Sequence, residues 1–166
     1  NLLGDYQKSN AVLAIEAAKY LFNLSYDAIK IGLSRANWPG RLEEMFDNVY
    51  IDGAHNEPAI EALVRNIKVL FKDKKITILF SALKGKDVSK MLNLFNDVSK
   101  KIILTSFDDL RFESLKEYET NNIKYLENGF LQLQKLINKQ EPNEIIIATG
   151  SLHFIGYLKQ EYNKTK

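Results

Sequence analysis

Residues 144–151 read Glu-Ile-Ile-Ile-Ala-Thr-Gly-Ser, and Leu152 to Glu161 continues with helix-forming residues. A short, wholly apolar run that ends in glycine and serine and opens a helix is a buried parallel strand feeding a crossover. The same unit recurs toward the N-terminus. Ile76-Thr-Ile-Leu-Phe80 is a second buried strand, followed by a helix over about 87–95, and Ile102-Ile-Leu-Thr105 is a third. Upstream, Pro58 sits where a first helical turn tolerates it, and Ile60, Leu63, Val64, Ile67, Leu70 and Phe71 form one apolar stripe. Before it lie two strand-like stretches, Arg41 to Phe46 and Val49 to Ile51. Phe130, Leu133, Leu136 and Ile137 mark a further amphipathic helix. Two helices open the chain, over 10–22 and 27–34, the second with Ser25 as its N-cap. Residues 107–126 read as loop and short helix. Strands alternating with helices predict an α/β fold: a mostly parallel sheet with helices on both faces, in one domain over 1–166.

Composition sets the outer limits. The 166 residues are 45% hydrophobic and 27% charged, which is globular. No cysteine is present, which removes disulfide scaffolds, cysteine-ligated zinc and thiol catalysis, and favours a reducing, cytoplasmic setting. A net charge of +2 is too small for a protein that grips phosphodiester backbones, and the Lys72–Lys75 run reads as a solvated turn. No apolar run reaches the ~18 residues of a membrane span. The chain opens on Asn1 rather than methionine, which reads as a piece of a longer polypeptide.

In parallel sheets ligands bind beyond the carboxyl ends of the strands, so those loops carry the search. After Ile51 comes Asp52-Gly-Ala-His-Asn56. It reads either as a strand-to-helix turn with Asn56 as N-cap, or as a site in which Asp52 accepts from ribose hydroxyls and His55 faces a polar substrate. After Thr149, Ser151 either caps the next helix or offers its hydroxyl to an anion; His153 reads as a structural or surface residue. Trp38-Pro-Gly-Arg41 holds the single tryptophan and one of four arginines. Arg41 there is either a bidentate phosphate ligand or a surface residue beside a buried Trp38. The chain has neither a Gly-x-x-x-x-Gly-Lys-Ser/Thr phosphate loop nor a Gly-x-Gly-x-x-Gly fingerprint.

These fragments occur in one order: Gly4-Asp-Tyr-Gln7-Lys-Ser-Asn10-Ala11, Trp38-Pro-Gly-Arg41-Leu-Glu43, Asp52-Gly-Ala-His-Asn56, Phe80-Ser-Ala-Leu-Lys-Gly-Lys-Asp87 and Thr149-Gly-Ser-Leu-His-Phe-Ile-Gly156. The series resembles the C-terminal domain of folylpolyglutamate synthases and bifunctional dihydrofolate synthases, in the Mur ligase superfamily. The resemblance implies a six-stranded sheet and an ATP-dependent ligase that joins L-glutamate to a folate through an acyl phosphate. It implies that Asn10, Arg41 and Asp52 meet ATP and that His55 and Ser151 lie toward the incoming glutamate. Mg2+ would be held by an N-terminal ATPase domain outside this chain, and no residue here is assigned as a metal ligand. Folate, L-glutamate and that domain are the expected partners, without nucleic acid or membrane, in a monomer whose isolated C-terminal part is inactive. The alternatives are a peptidoglycan-type Mur ligase domain and a non-catalytic nucleotide-binding module. Tyr6, Glu57, Gly85 and His153 depart from the family pattern.

Overall fold

The structure is a computed structural model, and it describes residues 3, 4 and 6–165, with Tyr6 as backbone only. Asp5 and the Tyr6 side chain, both in the first quoted motif, lie outside the described residues. The elements in chain order are α1 (Tyr6–Leu21), α2 (Tyr26–Arg35), β1 (Glu43–Phe46), β2 (Val49–Ile51), α3 (Glu57–Leu70), β3 (Lys75–Phe80), α4 (Val88–Phe95), β4 (Lys101–Leu104), β5 (Ile123–Tyr125), α5 (Gly129–Asn138), β6 (Glu144–Thr149) and α6 (Leu152–Asn163). The six strands form one sheet in the order β1-β2-β6-β3-β4-β5. Only the β1–β2 pairing is antiparallel. The expected α/β sheet is therefore the one observed.

Strand periodicity explains the two helical layers. In β6, Ile145 and Ile147 enter the cluster that holds Ile60, Leu63 and Ile67 of α3 and Met91 and Phe95 of α4. Ile146 and Ala148 enter the opposite cluster, with Leu133 and Leu136 of α5 and Phe154 and Leu158 of α6. Each central strand is apolar on both faces because each face meets helices. At about 25 cal/mol per Å² of apolar surface removed from water, this burial is the main force holding the layers together.

One strand was not foreseen. The stretch 107–126, read as loop and short helix, contains a 3₁₀ turn over Lys116–Tyr118 and also β5. β5 has three residues and buries only Ile123 fully, so it carries no period long enough to read. The first two helices are present, and Ser25 Oγ caps α2 by accepting from Ala28 N–H at 3.2 Å. Among the described residues neither helix has a fully buried side chain; Val12, Leu13, Tyr20 and Tyr26 are all exposed. No helix among the described residues is long and apolar enough to cross a membrane.

A buried acid closes the amino end of the sheet. Glu144 accepts from the Thr77 hydroxyl and from Glu141 N–H at 3.3 Å, and pairs with Lys101 Nζ at 3.4 Å. Burial pushes its carboxyl up, but these three donors outweigh burial and hold it below the usual value. A carboxylate whose folded value is lowered stabilises the fold above the ordinary range and loses that contribution as pH falls through the folded value. Glu144→Gln is thus expected to cost about 1–3 kcal/mol near neutrality. Thermal melts of both proteins across pH check this: the gap should narrow as pH falls below the ordinary carboxylate range and Glu144 takes up its proton.

Candidate functional site

Three loops meet at the carboxyl end of the sheet: 38–42, 52–56 after β2, and 150–151 after β6. Backbone bonds join them. Gly53 N–H donates to Gly40 O at 2.8 Å, Gly150 N–H to Ala54 O at 3.0 Å and Asp52 N–H to Ala148 O at 2.9 Å. Side chains fill the same junctions. Gly40 packs against Ile155, and Gly53 against Leu152. Gly150 has φ +110°, and a Cβ there would stand 2.4 Å from Ser81 O and 2.7 Å from Phe80 Cε2, so only glycine fits.

Asp52 organises the centre. Its side chain is buried, with Oδ2 accepting from Leu42 N–H at 2.8 Å and Oδ1 from Ala54 N–H at 2.8 Å. Burial pushes its carboxyl up; the Ala54 and Leu42 amides and the Arg41 charge oppose that rise. Arg41 and Asp52 line one small cavity of about 140 Å³ with Ala54, Ala59, Ala62 and Leu63. Among the described residues no carboxylate hydrogen-bonds the Arg41 guanidinium, although its charge acts on Asp52.

His55 is half-buried, and its Nδ1 lies 2.8 Å from Gly53 O. A carbonyl only accepts, so Nδ1 carries the hydrogen in this contact. Asn56 caps α3 through Ala59 N–H at 3.0 Å, and Ser151 caps α6 through His153 N–H at 3.1 Å. Both local capping readings hold. Ser151 is buried beside the loop that carries His55, since Gly150 N–H and the Thr149 hydroxyl both reach Ala54 O.

Two residues of the quoted motifs lie on the surface. Trp38 is 62% exposed, not in the core, because Pro39 and Gly40 turn the chain before it can pack. Asn10 is exposed on α1 and donates to Gln7 Oε1 at 3.2 Å. Its neighbours Gln7 and Ala11 face Asn66, Val69 and Leu70 at the far end of α3 from Asp52. Nothing in the described structure brings Asn10 to Arg41.

Sequence reading missed two charged groups. Glu43 accepts from Gly40 N–H at 2.8 Å and pairs with Lys159 Nζ at 2.7 Å. The spacing of three residues from Gly40 is a weak local signal; the partner on α6 has none. Arg111 holds Asp109 through both oxygens, at 3.1 and 3.0 Å, and its Nη2 lies 3.1 Å from Nδ1 of the exposed His153.

Comparison with known proteins gives this geometry a family. Residues 40–152 match the family described as "Mur ligase, glutamate ligase domain", the segment running from the Arg41 loop to the start of α6. The chain belongs to that family. The dihydrofolate synthase/folylpolyglutamate synthase of Bacillus subtilis is 35% identical over 96% of this chain. The folylpolyglutamate synthase of Lacticaseibacillus casei is 30% identical, also over 96%. The Mycobacterium tuberculosis folylpolyglutamate synthase complexed with ADP and AMPPCP superposes with a TM-score of 0.86 at 26% identity, covering 97% of this chain and 41% of that one. The chain spans about 40% of the length of the two curated relatives. Within this glutamate ligase domain the matched segment holds Arg41, Asp52, His55 and Ser151; α1, α2 and Asn10 precede it.

Asp52→Asn tests the buried acceptor. An amide supplies one oxygen but turns its NH2 toward an N–H, leaving two donors facing each other. The expected loss is about 1–3 kcal/mol. For a domain this size that is roughly a 2–12 °C fall in melting temperature. An unchanged melting temperature would mean that the two amide contacts carry no stability.

Proposed function

We propose that the protein containing this chain is an ATP-dependent ligase that joins L-glutamate to a folate. A carboxylate is a poor electrophile, and transfer of the γ-phosphoryl group to it creates a leaving group that the glutamate amine displaces. Such a site must neutralise the migrating charge and hold the amine in line. The observation that carries the reading is Arg41 at the carboxyl end of the sheet, lining one cavity with Asp52 in a glutamate ligase domain, with no carboxylate among the described residues bonded to its guanidinium. The relatives named as folylpolyglutamate synthases support it, as does the structural neighbour described with ADP and AMPPCP.

In this reading Arg41 meets the nucleotide phosphates, and Asp52 lies on the nucleotide side. His55, held through Nδ1, and Ser151 face the glutamate. Asn10 joins the nucleotide contacts by resemblance alone. ATP is used with Mg2+, which supplies charge neutralisation at the phosphates; its ligands lie in a preceding ATPase domain. The exposed apolar residues of α1 and α2 suit packing against that domain. The enzyme works in the cytoplasm as a monomer.

The assay is incorporation of labelled L-glutamate by the full-length protein with ATP, offered dihydropteroate and tetrahydrofolate in parallel. Product with either acceptor is expected, and none from residues 1–166 alone. ATP-independent binding without product would favour a non-catalytic module. Arg41→Lys keeps the charge but loses the fork, so it should fall almost as far as Arg41→Ala, on the order of a hundredfold in kcat. Steady-state kinetics beside a thermal melt reads this. Wild-type kcat in the lysine variant would end the phosphate-contact reading.

A further inference from the structure

We infer that Glu43, held by Lys159, is a positioning residue for Arg41; the inference rests on the phosphate role proposed above for Arg41. The two residues that flank Arg41 both have left-handed backbone, Gly40 at φ +74° and Leu42 at φ +44°. Glycine takes that conformation without penalty, but for leucine the left-handed region is strained and needs an opposing contact. Each flanking N–H is held by a different carboxylate. Leu42 N–H donates to Asp52 at 2.8 Å, and Gly40 N–H donates to Glu43 Oε2 at 2.8 Å. Gly40 O takes the remaining bond from Gly53 N–H. These bonds hold the backbone on both sides of Arg41 and so set the direction in which its side chain leaves the loop.

Glu43 is tied down in turn. Its second oxygen, Oε1, pairs with Lys159 Nζ at 2.7 Å, and both side chains are partly buried. Burial would raise the Glu43 carboxyl, but Lys159 and the Gly40 amide hold it below the usual value, so the acceptor stays charged near neutrality. Lys159 lies on α6, two turns beyond the Ser151 cap. The clamp thus joins the loop that aims Arg41 to the helix whose first residues border the glutamate side. An ion pair that water still reaches contributes little to stability by itself. Its geometry, with the free carboxylate oxygen spent on the Gly40 amide, gives it a role in aiming instead.

A double-mutant cycle in the full-length protein tests this. Glu43→Ala should lower kcat by roughly tenfold to a hundredfold, since small misplacements of a catalytic group have effects of that size. KM for glutamate should stay within about twofold, because the change acts on the phosphate side. Glu43→Gln keeps a carbonyl oxygen for Gly40 N–H and should recover most of the rate. Lys159→Ala should lose less than Glu43→Ala, and it supplies the answer if Glu43→Ala does not fold. In an Arg41→Ala background, adding Glu43→Ala should cost nothing further. Equal losses in the two backgrounds, or a wild-type kcat for Glu43→Ala while Arg41→Ala is impaired, would overturn the positioning role alone. Full activity of Arg41→Ala would remove the phosphate reading, and this inference with it.

Discussion

One buried carboxylate holds the working end of this domain together. Asp52 sits at the end of β2, and its two oxygens accept from Leu42 N–H and Ala54 N–H, both at 2.8 Å. Burying a carboxylate is costly unless hydrogen bonds replace the lost water. Two converging amides supply those bonds, and in return they fix two loops that have no secondary structure of their own. Leu42 stays in left-handed backbone because its N–H is held there. Ala54 is held so that its carbonyl meets Gly150 N–H, which joins the β2 loop to the β6 loop. The loops that carry Arg41 and His55 are therefore joined through one acid, and the Ala54 carbonyl links them to the loop before Ser151.

The sheet beneath makes this possible. β2 and β6 run parallel in register, Ile51 beside Ala148, so their following loops leave the sheet at the same height. Helices on both faces then cover every central strand. Glutamate transfer to an acyl phosphate asks for two things at such an edge: a fixed cation for the phosphates and a fixed acceptor near the amine. In the proposed reading, Arg41 between two restrained residues is that cation, and His55, held through Nδ1 by Gly53 O, is that acceptor.

The parts of this arrangement that were legible in the sequence share a physical cause. β3 and β6 were readable because strands covered on both faces are continuous apolar runs, and α3 because its stripe faces one layer. β5 was not, because an edge strand of three residues buries too little to leave a pattern. Asn56 and Ser151 could be read as caps because capping acts within three residues. Trp38 was open to a core reading because a large aromatic is usually buried, yet the Pro39-Gly40 turn leaves it outside. The Asp52 amide contacts and the Glu43–Lys159 pair were invisible for a different reason. Leu42 lies ten residues from Asp52, and Lys159 lies 116 from Glu43, so only the folded chain brings them together. The strand pattern pointed to the loops and the family resemblance to the residues in them; what holds those residues was in neither.

The most direct measurement is a crystal structure of the full-length protein with a non-hydrolysable ATP analogue. The account predicts both Arg41 guanidinium nitrogens within about 3 Å of phosphate oxygens, the spacing of a charge-assisted bond. It predicts Leu42 and Ala54 N–H still on Asp52, and Gly40 N–H still on Glu43. An Arg41 side chain turned to solvent, with the phosphates held by other residues, would contradict it.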